Sequence, residues 1–307
     1  MTYDVVVVGE PLLEFSAAEP LTKASQFRLG FSGDALNAAV AAAAAGAKTA
    51  LLTRLGHDEL ADRMVDFLAA HGVETALVRR EAGQTGAYVL GADPAGTREF
   101  AYLRAGSAAT HLQPSDVDFA AKAVLLSGIT AALSPSCAAT VLHAAQTVRA
   151  AGGIVVYDPN FRPRLTTPDA ASLFLREIAP FASVAIPSSP ADTRALFGLE
   201  DAEAAAAHVR ALGAQAAVVT RGSDGVLVST VDESVALPVI AAPSVVDSTG
   251  AGDCFAGTLT ARLALGDTLL ESVRLAMSAA SLSLGGQGGT GRIPTQAETR
   301  RHLEASR

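Results

Sequence analysis

Near the C-terminus a carboxylate follows three small residues: Gly250, Ala251, Gly252 and then Asp253, at the head of an apolar helical run over 254–265. Main-chain N–H groups at a helix N-terminus lack partners, and the helix dipole adds positive charge there. Small residues let an anion, a phosphate above all, come close to those groups. A carboxylate in the first turn then lies beside the anion and can accept the proton of an attacking hydroxyl. Phosphoryl transfer needs little more than such positioning and charge neutralisation. An ordinary helix start with glycines in its loop reads the same way, and a bare Gly-x-Gly does not separate the two. No Gly-Lys-Ser/Thr follows, so this is not a Walker loop. It also lies too late in the chain for a dinucleotide fingerprint.

Other segments offer partners. Ser32-Gly33-Asp34-Ala35-Leu36-Asn37 opens an alanine-rich helix over 34–46. Asp34 reads equally as a helix cap and as a ligand-facing carboxylate. Thr220-Arg221-Gly222-Ser223-Asp224-Gly225 follows a strand and serves either as a hairpin turn or as a loop that admits a nucleotide. Asp192, in Ser188-Ser189-Pro190-Ala191-Asp192, falls in a first helical turn. Tyr102 and Arg104 share a strand face by two-residue alternation, and an arginine fork matches a carboxylate. Tyr88 and Tyr102 read equally as packing residues. Arg162, in Asp158-Pro159-Asn160-Phe161-Arg162-Pro163-Arg164-Leu165, follows a strand end, where α/β sheets open their crevices.

The elements that must position these residues alternate. Strand runs at 5–9, 50–55, 123–126, 154–157, 184–186 and 217–220 are separated by helical runs at 34–46, 59–71, 135–150 and 202–212. That order predicts an α/β fold with a mostly parallel sheet covered on both faces. Residues 11–29 read as irregular. Residues 85–103 read as a hairpin, with runs at 87–90 and 99–103 around Asp93-Pro94-Ala95-Gly96. No break in composition divides the chain, so one domain over 1–307 is expected, with lid segments at about 11–32 and 85–104.

Half of the 307 residues are hydrophobic and 18% are charged, which suits a folded core. A net charge of −8 argues against a general nucleic-acid or anionic-membrane partner. Cys137 and Cys254 make neither a disulfide framework nor a metal spacing, and Cys254 reads as a packing residue. No basic segment precedes the first strand and no apolar run is long enough to span a bilayer, so a soluble, cytoplasmic protein is expected. His57, His71 and His208 are expected at the surface.

Asp247-Ser248-Thr249-Gly250-Ala251-Gly252-Asp253 resembles the C-terminal signature of PfkB carbohydrate kinases, the ribokinase-like family. The segment 32–37 is similar to the family's first signature, with Ser32 where glycine is common. The resemblance runs over nearly the whole chain. It implies a three-layer αβα sandwich with a small β-sheet lid, with ATP and Mg²⁺ as cofactors. It also implies that Asp253 is the catalytic base, that Gly250, Ala251 and Gly252 form the anion hole, and that Gly33, Asp34 and Asn37 face the sugar. Ser188, Thr220, Gly222, Asp224 and Gly225 would line the nucleotide side with Gly250 and Gly252. Asp192 would reach Mg²⁺ through water, and Asp247 would order a loop for a monovalent cation, K⁺ being the candidate.

Three segments, Gly9-Glu10-Pro11-Leu12-Leu13-Glu14-Phe15, the Tyr-x-Arg hairpin and 158–165, look like the 2-keto-3-deoxygluconate kinase branch. This implies phosphorylation of a sugar acid at C6, with Tyr88 and Tyr102 against the sugar and Arg104 on its carboxylate. Arg162 would serve the sugar acid or the ATP phosphates. Fructokinase, ribokinase, a 2-keto-3-deoxygalactonate kinase and a non-catalytic sugar-binding relative are the alternatives. Relatives often pair through the lid, so a homodimer or higher oligomer is expected there.

Overall fold

The computed structural model describes residues 2–91 and 100–306. Its strands are β1 Thr2–Val8, β2 Leu12–Ser16, β3 Arg28–Ser32, β4 Thr49–Leu55, β5 Val73–Glu74, β6 Val78–Arg80 and β7 Ala87–Leu90. They continue with β8 Phe100–Leu103, β9 Ala120–Ser127, β10 Ile154–Asp158, β11 Val184–Ala185, β12 Ala216–Thr220, β13 Val226–Ser229 and β14 Ser234–Leu237. The large sheet runs β14-β13-β12-β11-β10-β9-β1-β4-β5, with β6 also beside β4. It is parallel from β12 to β5, and β13 and β14 add an antiparallel edge.

Successive side chains of a strand point to opposite faces, and β1 shows the result. Val5 and Val7 join a core with the helices Asp34–Ala44, Glu59–Ala70, Ala251–Ala264 and Leu269–Ser283. Val6 and Val8 join another with the helices Pro135–Ala150, Pro168–Ile178 and Ala202–Ala211. Covered on both faces, the strands are apolar runs without alternation, as expected of buried parallel strands. The outcome is three layers.

The smaller sheet has the order β3-β2-β7-β8. β7 and β8 form the expected antiparallel pair, with Tyr88 opposite Tyr102. The expected turn at Asp93–Gly96 lies outside the described residues. Residues 11–29 are not simply irregular, because β2 and the start of β3 fall among them. A buried glutamate, Glu14, interrupts the apolar pattern of β2, and Gly30 interrupts β3. β2 starts two residues after Gly9-Glu10, so the lid grows directly from the end of β1.

The helices Asp34–Ala44 and Ala251–Ala264 carry the two signature segments and pack side by side. A Cβ at Gly257 would lie 2.1 Å from the Ala38 carbonyl oxygen, so only glycine permits this approach. Gly257→Ala is expected to cost about 1–3 kcal/mol by overpacking. It should also lower kcat by moving one signature from the other. Thermal melts and steady-state rates check this, and an unchanged melting temperature would contradict it.

Candidate active site

The helix Ala251–Ala264 starts at Gly250, whose φ of 79° lies in the left-handed region. A Cβ there would also sit 2.7 Å from Gly289 Cα. Asp253 therefore stands in the first turn. Its neighbour Cys254 already donates its N–H to the Gly250 carbonyl at 2.8 Å, and Ala251 reaches Ser248 at 3.3 Å. Among the described residues, the N–H groups of Gly252 and Asp253 meet no main-chain carbonyl. They are the donors left for an anion, with Ala251 only weakly engaged.

Asn37 Nδ2 donates to Asp253 Oδ2 at 2.8 Å, across 216 residues of sequence. Asn37 thus holds the carboxylate that the second signature supplies, and Ser32 Oγ donates to Asn37 Oδ1 at 3.4 Å. Gly33 caps the Asp34 helix without a side chain, so Asp34 is not the cap. Its Oδ2 is buried and accepts no hydrogen bond among the described residues. Asp34, Asp158, Asn160 and Asp253 line one small cavity at the C-terminal ends of β1, β9 and β10.

Three carboxylates in one cavity disfavour their own charge. Asp253 is pushed up to about 7, first by burial and then by the charge of Asp34, while the Asn37 bond and Arg162 act in the opposite sense. Asp158 is raised well above the carboxylate range by burial, then by Asp192 and Asp253. Arg162 is exposed, and its charge pulls both carboxyls down. Asp158 is not among the site residues expected from the sequence. Its place directly before Pro159 at a strand end was the available signal.

Ser188 and Thr220 meet at the same sheet edge through a parallel bridge, and Ser189 N–H donates to the Thr220 carbonyl at 2.8 Å. Gly222 and Asp224 form a short turn between β12 and β13, and Gly225 backs onto Leu237. The hairpin reading of that loop therefore holds, and a nucleotide role is compatible with it. Asp192 and Asp247 spend their oxygens on protein donors. Asp192 accepts from Phe161 N, Ser188 N and Ser188 Oγ at 2.6–2.8 Å. It thereby ties the 158–165 loop to the 188 loop. Asp247 accepts from Thr249 N, Thr249 Oγ1 and Gly288 N at 2.7–2.9 Å. It braces the anion loop against the glycine-rich segment. Both acids shape loops.

In the lid, Tyr88 is buried and its hydroxyl donates to the Glu14 carboxylate. Its ring lies 6.1 Å from that of Tyr102, which is 43% exposed. Arg104 is 9% exposed, ion-paired with Glu10, and 5.9 Å from the Tyr102 ring. Tyr102 and Arg104 are thus neighbours, but Arg104 already has an internal carboxylate partner. Sequence reasoning missed Glu10 and Glu14 because their partners lie far along the chain. Cys137 and Cys254 are buried and free, and Cys254 packs with Ala41 and Ala279. His57 is exposed, while His71 and His208 are partly covered. Among the described residues, no helix is long and apolar enough to cross a membrane.

Comparison with known proteins gives these features a context. The family described as pfkB family carbohydrate kinase matches residues 2–296. The chain is 32% identical to the 2-dehydro-3-deoxygluconokinase of Thermoproteus tenax, over 98% of this chain and 94% of that one. It is also 32% identical to the 2-dehydro-3-deoxygalactonokinase of Haloferax volcanii, over 92% of this chain and 91% of that one. Among solved structures, a PfkB protein from Polaromonas sp. JS666 is similar with a TM-score of 0.84 and 29% identity, covering 97% of this chain and 99% of that one.

Proposed function

Because the chain belongs to the pfkB family of carbohydrate kinases, whose members use ATP, we propose that it phosphorylates 2-keto-3-deoxy-D-gluconate at the C6 hydroxyl. The observation that carries this reading is the Asp253 carboxylate, held by Asn37 beside the donors of Gly252 and Asp253. Asp253 takes the C6 hydroxyl proton as that oxygen attacks the γ-phosphorus of ATP. The bond from γ-phosphorus to the bridging oxygen breaks, and ADP leaves. The N–H groups before and at Asp253 hold the charge on the transferring group. When bound with ATP, Mg²⁺ would neutralise charge on its phosphates. The Oδ2 of Asp34 accepts from a sugar hydroxyl, and Gly33 lets the sugar approach the lid base.

Arg104 receives the carboxylate of the sugar acid, with Tyr88 and Tyr102 forming the wall along the deoxy carbon. Arg162 stands between this substrate and the ATP phosphates. The loops at Ser188, Thr220, Gly222, Asp224 and Gly225 take the nucleotide. Arg104 Nε, buried without an acceptor among the described residues, is a donor that a sugar carboxylate can use and a neutral sugar lacks the charge to match.

A panel of sugars in a coupled ADP-release assay tests this reading. The keto-deoxy sugar acid should exceed fructose and ribose in kcat/KM by roughly two orders of magnitude, as expected when a site built for a polar group meets ligands that lack it. Equal rates on the neutral sugars would overturn it. The Haloferax relative gives the C4 epimer, 2-keto-3-deoxygalactonate, a place in the same panel.

The pH profile gives a further check. Asp253 works as a base only when deprotonated, so kcat should rise with pH up to about 7 and then level off. Asp34 helps to raise Asp253, so Asp34→Asn should move this acid limb to lower pH, whatever it does to KM. Superimposable acid limbs in the two enzymes would contradict the assignment.

A further inference from the structure

Glu10 takes no part in the transfer described above, yet at 1% exposure it is the least exposed carboxylate among the described residues. It lies two residues beyond β1, where the chain enters the lid. Its carboxylate accepts from Ser107 Oγ and is ion-paired with Arg104 Nη2. A Cβ at Gly86 would come within 2.3 Å of Glu10 Oε1, so main chain closes this side of the pair. Arg104 Nε is buried without a hydrogen-bond acceptor among the described residues, so the guanidinium has a donor to spare.

Arriving at Arg104, a substrate carboxylate would be the second anion on one cation. Two buried carboxylates and a single guanidinium leave an uncompensated charge, which is costly in the interior. The groups that face Glu10 sharpen this. Asp34, from the helix Asp34–Ala44, repels its charge, Arg104 and Ser107 favour it, and Cys137 from the helix Pro135–Ala150 feels it. Burial outweighs the favourable partners, and the Glu10 carboxyl is raised above its ordinary value. The Cys137 thiol is itself raised by burial and supplies no charge.

Resting on the sugar-acid reading, we propose that Glu10 neutralises Arg104 in the free enzyme and yields it to the substrate carboxylate, taking up one solvent proton as it does so. Arg104 stays protonated throughout. The only covalent change is a proton added to the Glu10 carboxylate, which keeps the buried cluster neutral. Glu10 is then a positioning residue that presets the arginine fork and couples sugar-acid binding to pH. Above neutrality, affinity for the acid falls as pH rises, because the proton must be drawn from an ever scarcer supply.

Calorimetric titration of the full-length enzyme with 2-keto-3-deoxygluconate, in buffers of different ionisation heat at about pH 8, counts the protons. Wild type should take up close to ~1 proton per site, and Glu10→Gln close to none. The methyl ester of the sugar acid should cause no uptake in wild type. In Glu10→Gln the single amide oxygen can face Arg104 while the amide NH2 donates to Ser107 Oγ, and a thermal melt checks that the variant folds. Zero uptake in wild type overturns the proposal. So does uptake that survives in Glu10→Gln, since it would belong to Asp34 or Asp253. Failure of wild type to bind the acid at all overturns instead the sugar-acid reading beneath it.

Discussion

Asp253→Asn is expected to bind ATP with KM little changed while kcat falls by roughly two to three orders of magnitude or more. The substitution keeps size and shape, and the amide oxygen still accepts from Asn37, so both signature helices stay in place. What disappears is the only group in the first turn that can take the hydroxyl proton. The donors that hold the phosphoryl group are main-chain N–H groups and survive the change. Loss of one negative charge beside the phosphates should, if anything, tighten ATP slightly. Steady-state kinetics with each substrate varied in turn separate the two effects. A near-normal kcat would remove Asp253 from the chemistry.

Arg104→Ala should raise KM for the keto-deoxy sugar acid about 100-fold, roughly 2.7 kcal/mol, and change a neutral sugar only a few-fold. Arg104→Lys should fall between, because an ammonium keeps the charge but loses the planar fork. Truncation also strands Glu10, whose carboxylate is buried against Arg104 and Ser107. Removing one partner of a buried pair is destabilising in its own right. The double variant Glu10→Gln/Arg104→Ala should therefore melt higher than Arg104→Ala alone, while the loss of sugar-acid affinity persists. Equal KM changes for acid and neutral sugars would count against the carboxylate role.

The parts that the sequence displayed best are local ones. Gly250-Ala251-Gly252-Asp253 is read from four neighbours and a helix start, and the structure puts Asp253 in the first turn, as its spacing required. The parallel sheet was legible because strands buried on both faces become unbroken apolar runs. The parts that stayed hidden depend on distance along the chain. Glu14 in β2 looks like a break in a strand until Tyr88, 74 residues on, supplies its hydroxyl. Glu10 looks like a loop residue until Ser107, 97 residues on, and Arg104 enclose it. Asn37 reads from the sequence as a sugar contact, and nothing local shows that its amide holds Asp253 from across the core. Asp192 and Asp247 stand out in the sequence by their charge alone, and the loops they tie together become visible only in the fold.

The central claim is that one carboxylate and one turn of main-chain donors move a phosphoryl group from ATP to C6 of a keto-deoxy sugar acid. Phosphorus NMR of the enzyme with ATP and 2-keto-3-deoxygluconate reads the product itself. The account predicts a new phosphomonoester signal coupled to the two C6 protons, growing in step with ADP and abolished by Asp253→Asn. ADP accompanied only by free phosphate, or an ester on another carbon, would contradict it.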